Sequence, residues 1–151
     1  MDNYHFDEES ADRAVDFIEK FCSHVKGELG GKPFLLEDWQ KNDIIRPLFG
    51  WKKADGRRKY RTCYVEIPRK NGKSNLSAAI ALYMLFADGE PGAEVISAAG
   101  DRNQANIVFS IAQEMILNNK HLSQRAKVLR NSINYKSSFY KSISAEASTK
   151  H

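Results

Sequence analysis

The stretch Val65-Glu66-Ile67-Pro68-Arg69-Lys70-Asn71-Gly72-Lys73-Ser74 decides how the rest of the chain is read. Arg61–Ile67 contains Cys63, Tyr64, Val65 and Ile67, a mostly apolar and β-prone run that predicts a strand. From Lys73 to about Ala87 the sequence is apolar on nearly all sides, which predicts a helix covered all round. A Gly-Lys-Ser triplet between a strand and a helix is placed to cradle phosphates. Gly72 lets backbone N–H groups come close to an anion. Lys73 supplies a point charge for the β- and γ-phosphates, and the Ser74 hydroxyl is a ligand for Mg²⁺. A helix starting there adds its positive end. One departure stands out: the first glycine of the usual GxxxxGK[ST] pattern would fall at position 67, where the chain has Ile67.

Downstream, Asp88-Gly89-Glu90-Pro91-Gly92 ends the helix, and Ala93–Ala98 reads as a second strand. Asp101 opens a helix to about Asn118, with Ile107, Val108, Ile111, Met115 and Ile116 as its core stripe. Strand, helix, strand, helix predicts an α/β domain with a parallel sheet and helices on both faces. Beyond Leu122 only short strand candidates remain, at 127–129, 132–135 and 139–144, and the sheet reads as unfinished. Upstream, residues 10–26 place Ala14, Phe17, Ile18, Phe21 and Val25 at helical spacing. Gly27, Gly30, Gly31 and Pro33 break that pattern. Asp38 is a candidate cap for a helix through Trp39, Ile44 and Leu48, and Ala54-Asp55-Gly56-Arg57 is a turn between two short segments.

The formal charge of +4 conceals an uneven distribution. Residues 1–40 carry four Lys/Arg against ten Asp/Glu; residues 52–73 carry nine against two; residues 120–151 carry seven against one. The two basic blocks suit either a polyanion partner or solvated surfaces. Cys22 and Cys63 lie far apart and the four histidines lack metal-ligand spacing, so neither a disulfide framework nor a zinc site is expected, and the setting reads as reducing and intracellular. The start of the chain is acidic and polar, unlike a signal peptide. The longest nearly apolar run, Leu76–Ala87, has 12 residues, short of the roughly 20 that span a membrane.

With the phosphate loop in place, the flanking text becomes recognisable. The chain resembles the N-terminal ATPase region of the large terminase subunit of tailed bacteriophages, in the HK97-like group. The matching stretches are Pro33–Gln40, Leu48–Trp51, Arg57–Arg61, Val65–Ser74 and Ala98–Ala105, in the family's order. The resemblance implies a RecA-like, additional-strand P-loop fold. It divides the chain into an N-terminal helical segment (1–32), an adenine-recognition segment (33–51), a P-loop core (60–119) and an incomplete sheet and tail (120–151).

Family members of this kind lack the first loop glycine, so Ile67 agrees with the resemblance. It implies that Arg69, beside Lys73, contacts the γ-phosphate or senses hydrolysis, and that Lys70, Asn71, Gly72 and Ser74 hold ATP and Mg²⁺. Trp39 and Gln40 match the adenine segment. Gln can pair an amide with adenine, and Phe34 or Trp39 could pack on the ring. The bland alternatives are core packing for Trp39, a surface amide for Gln40 and a solvated charge for Arg69. Gln104, at the start of its helix where related helicase-like motors contact nucleic acid or relay strain, has either such a role or that of a capping amide. Lys52, Lys53, Arg57, Arg58 and Lys59 either touch DNA phosphates or form a solvated hairpin.

The resemblance further implies a motor that packages double-stranded DNA into a procapsid in the cytoplasm of an infected or prophage-carrying bacterium. Its partners would be a portal ring, a small terminase subunit and further copies of itself, with no membrane involved. The runner-up readings are another helicase-like P-loop ATPase and a non-catalytic nucleic-acid-binding module. Hydrolysis in this superfamily needs an apolar strand ending in Asp followed by Glu. Residues 1–151 contain no such sequence; Asp101 is the nearest candidate and has no Glu beside it. This stretch is therefore expected to bind ATP without hydrolysing it, the acidic strand and the family's nuclease domain lying outside it.

Overall fold

The structure is a computed structural model that describes residues 3–25, 27–68 and 72–144. Arg69, Lys70 and Asn71 of the phosphate loop lie outside the described residues.

Helix α1 (Glu8–Phe21) starts where Asp7 accepts hydrogen bonds from the Ser10 backbone and hydroxyl, at 3.3 and 2.7 Å. Those bonds hold the Asp7 carboxyl below its ordinary range. Its Ala14, Val15, Phe17 and Ile18 face the core, as the spacing predicts. Strand β1 (Tyr4–Phe6), which the sequence did not signal, pairs antiparallel with β2 (Trp51–Lys53). The Phe6 and Trp51 rings meet edge-on at 5.3 Å, and Arg46 binds both Glu8 and Asp12.

The helix expected from Asp38 is broken in two. Gln40–Ile45 winds as a π-turn, with the Arg46 N–H donating to the Lys41 carbonyl, and Arg46–Gly50 forms the short α2. Pro47 brings no N–H to this ladder, which favours the irregular winding. The 54–57 turn is present, with Lys53 and Arg57 joined through the backbone at 2.8 Å and Lys52 bridged to Arg58.

Helix α3 (Lys73–Phe86) is less covered than its all-round apolarity predicts: Leu76, Ala79, Leu82, Tyr83 and Leu85 are buried, whereas Ser77 is exposed and Ile80 and Met84 are half-buried on one side. It packs against α1, α4 (Arg102–Leu117) and β3 (Glu94–Ala99). Tyr83 lies between Phe17 and Phe49 at centroid distances of 5.6 and 4.8 Å. Each such fully buried side chain contributes about 1.5–3 kcal/mol of transfer free energy. After the short α5 (Lys120–Arg125), the chain forms β4 (Lys127–Val128), β5 (Ser132–Tyr135) and β6 (Ser138–Ser144).

The α/β class holds. The sheet order is β3-β6-β5-β4; parallel pairing is confined to β3 and β6, from Glu94↔Phe139 to Ala99↔Ser144, and the rest is an antiparallel meander. One face, carrying Val95, Ile133 and Tyr140, is buried; the other leaves Ile96 and Ile143 exposed.

The strand expected at Arg61–Ile67 does not form. The segment carries no ladder among the described residues, and Tyr64 is 84% exposed. A β-prone composition makes a strand only where a neighbouring strand supplies hydrogen bonds and a surface to pack on. Here the four-stranded sheet is built without this segment.

Candidate nucleotide site

Gly72 is the N-cap of α3 and sits in the left-handed region, at φ +75° and ψ 17°. Any other residue would be strained there, so the sequence requirement for glycine at this point has a backbone cause. No side chain among the described residues caps the helix, whose first-turn N–H groups have no partner within the helix itself. Lys73 is exposed at the first helical position; Ser74 follows it, half-buried. Within the first turn the Ser77 hydroxyl donates to the Lys73 carbonyl at 2.9 Å.

Two other segments reach this helix end. The Asn75 amide donates to the Ser23 carbonyl at 3.4 Å, joining the first turn to the 22–34 hairpin. That hairpin is closed by Phe34 N–H to the Cys22 carbonyl and His24 N–H to the Lys32 carbonyl, at 3.0 and 2.9 Å. Gln40 comes from the π-turn. Its Nε2 stands 3.9 Å from where a Cβ on Gly72 would lie. Its Oε1 accepts from the Glu37 N–H at 2.9 Å, and the residue is only 3% exposed. Glu37 also takes the Trp39 indole N–H at 2.6 Å, so one acidic residue fixes both neighbours.

The structure thus brings Gln40, Gly72, Lys73 and Ser74 to one place. Trp39 is half-buried beside them, packed against the core. Phe34 is 3% exposed and turned inward against His24 at 5.0 Å, which leaves Trp39 as the ring that stays partly open. Asp101 stands elsewhere in function: it caps α4, accepting from the Gln104 N–H at 2.9 Å. The Gln104 side chain is exposed and is not the cap. Glu37 and Asn75 were missed from sequence. Glu37, three residues before Gln40, was a visible cue; nothing marked Asn75 as a tether to a hairpin 52 residues away.

The arrangement suits a polyphosphate: a residue without Cβ, the N-terminal donors of a helix, a cation and a hydroxyl. No group of three or more His, Cys, Asp or Glu among the described residues is placed to hold a metal ion, and no helix of the described residues is long and apolar enough to cross a membrane.

Comparison with known proteins gives this geometry a family. Residues 38–149 match the family described as terminase large subunit, ATPase domain. The chain is 33% identical over 148 residues to the terminase large subunit of Enterobacteria phage HK97, covering 93% of this chain and 28% of that protein. The crystal structure of the HK97 bacteriophage large terminase superposes with a TM-score of 0.77 at 29% identity, again over 93% of this chain and 28% of that one. The chain therefore spans little more than a quarter of the length of these relatives. On sequence and fold alike, the chain belongs to the large terminase family and corresponds to part of its ATPase domain.

Proposed function

We propose that this chain is the ATP-binding part of a motor that drives double-stranded DNA into a viral procapsid. The observation that carries the proposal is the left-handed Gly72 leading into Lys73 and Ser74 at the uncapped start of α3, in a chain of the terminase family. Lys73 neutralises the β- and γ-phosphates, and Arg69 acts beside it on the γ-phosphate. Lys70, Asn71 and Gly72 cradle the phosphates through the backbone, and the Ser74 hydroxyl holds Mg²⁺ with them. The metal, when bound, offsets charge on the phosphate oxygens. Trp39 offers its partly open ring to adenine, with Gln40 reading the base and Phe34 supporting from the core.

The full-length protein hydrolyses ATP, cuts DNA in a separate nuclease domain, and works on a portal ring with a small terminase subunit as a ring of identical copies in the host cytoplasm. Residues 1–151 alone bind nucleotide without turning it over, since no apolar strand among them ends in an acidic pair.

Titration calorimetry with ATP and Mg²⁺ tests the reading. Lys73→Ala is expected to weaken binding by about 1.5–3 kcal/mol, the scale of a charge-assisted contact. Equal affinity in both proteins would remove the phosphate-loop assignment.

A further inference from the structure

The hairpin that follows β2 and the turn that follows α3 enclose a cleft of about 760 Å³. Five cations line it: Lys52, Lys53, Arg57, Arg58 and Arg61. Asp88 and Glu90 stand across from them, for a net charge of +3 among the charged lining residues.

These cations divide by what they already hold. Arg58 pairs with Asp88 and lies 5.6 Å over the Phe49 ring, so it fastens the hairpin to the body of the protein. Lys53 is 3.9 Å from Asp55. Lys59, the remaining cation of the hairpin, is turned among Tyr4, Trp51 and Tyr60, at 4.5, 5.3 and 5.0 Å from their ring centroids. Lys52, Arg57 and Arg61 make no ion pair among the described residues. Like charges lining one cleft repel one another, and an anion placed among them relieves that repulsion.

From this arrangement we infer that the cleft is a binding site for the phosphodiester backbone of duplex DNA, with Lys52, Arg57 and Arg61 as its phosphate contacts. Seven of the nine lining residues are charged, and the Tyr60 ring among them is already engaged by Lys59 at 5.0 Å, so the cleft reads charge and not sequence. A duplex presents one charge per about 1.7 Å of axis, so a hairpin a few residues long spans several phosphates. The two arms are antiparallel, with Lys52 opposite Arg58, which spreads the cations over both strands of the hairpin. The inference rests on the motor reading only for the choice of duplex DNA over other polyanions.

The test uses the 151-residue chain, a fluorescein-labelled duplex of mixed sequence, and anisotropy at stepped salt. The variant replaces Lys52, Arg57 and Arg61 together by Ser. The control replaces Lys120, Lys127 and Arg130, exposed in the second basic block, and removes the same charge. Circular dichroism confirms that both remain folded. The cleft variant is expected to lose about tenfold or more in affinity, and its slope of log affinity against log salt to fall by about 2–3. The control is expected to keep both.

Unchanged affinity and slope in the cleft variant overturn the inference, as does an equal loss in the control. Displacement of the duplex by polyglutamate at matched charge would assign the cleft to an acidic protein instead. ATP affinity, measured on the same proteins, stays at the wild-type value if only the cleft is altered. Failure of the ATP reading appears in Lys73→Ala and leaves the DNA result standing.

Discussion

Arg58 of the hairpin donates to the carboxylate of Asp88, two residues past the end of the helix that begins at Lys73. One 14-residue helix, about 21 Å at 1.5 Å per residue, therefore runs from the phosphate loop to the basic cleft. Its middle is held in the core by Leu76, Ala79, Leu82 and Tyr83, so the two ends keep a fixed separation. The pair is partly exposed at Arg58 and more buried at Asp88, and it anchors the hairpin; for that reason Arg58 is left intact in the cleft test.

Gln40 has two attachments, and its replacement should register in both. In Gln40→Ala the Glu37 N–H loses its partner, at a cost of about 1–3 kcal/mol in urea denaturation. If the amide also reads adenine, the preference for ATP over GTP falls by more than triphosphate binding in general. Competition assays decide the second part: a loss shared equally by both nucleotides would make Gln40 a brace for the loop and not a reader.

Gly50 is required for a steric reason. A Cβ there would stand 2.5 Å from the Phe6 ring and 3.1 Å from the Ala11 methyl. Gly50→Ala should cost about 1–3 kcal/mol through overpacking. The cost should shrink when Phe6 is also changed to Ala, because the ring is the nearer obstacle. A double-mutant cycle by urea unfolding makes the comparison, and strict additivity would refute the contact.

Asp101 is assigned to helix capping. Asp101→Ala should lower stability by about 1 kcal/mol, and Asp101→Asn should be nearly neutral, since Asn caps as well as Asp. Neither should alter ATP affinity or its Mg²⁺ dependence. A strong Mg²⁺ effect in Asp101→Asn would make it a metal ligand and would show that the acidic strand had been misplaced.

Burial pushes the Cys22 thiol from an ordinary value of 9.0 up to about 12. Tyr83 and Tyr140 are raised as well, chiefly by burial. In each case the unfolded chain releases its proton first, so the folded state binds more protons between the two values. The associated stability is full below the unfolded value and is lost as pH rises through the folded one. For Cys22 the loss runs from about pH 9 to 12 at up to about 1.4 kcal/mol per pH unit. Urea titrations from pH 8 upward should show this decline, with a shallower slope in Cys22→Ala. At pH 8 a thiol reagent should modify exposed Cys63 in the native protein and reach Cys22 only after unfolding.

The elements that sequence predicted well are those with a local cause. The all-round apolarity of α3, the cap at Asp101, the turn at Asp55-Gly56 and the late strands follow from neighbours in the chain. Where sequence failed, the deciding partner was remote. Tyr4–Phe6 is a strand because Trp51–Lys53 lies beside it, and Arg61–Ile67 is not one because nothing described pairs with it. At the candidate nucleotide site the turn at Gly72 and the helix start at Lys73 were legible from residue type alone. The approach of Gln40 to Gly72 depends on a π-turn that no spacing rule announces.

The segment before the loop bears on how nucleotide would be felt elsewhere. Residues 61–67 lead towards the phosphate loop and carry no ladder among the described residues, so a strand from elsewhere could pair along them. A strand that paired there would order the approach to Gly72, and an anion held at Gly72 would in turn favour the pairing. Thermodynamic linkage makes the two effects equal in size. In such a protein the occupancy of a small ligand site and the completeness of a sheet are one equilibrium observed from two ends.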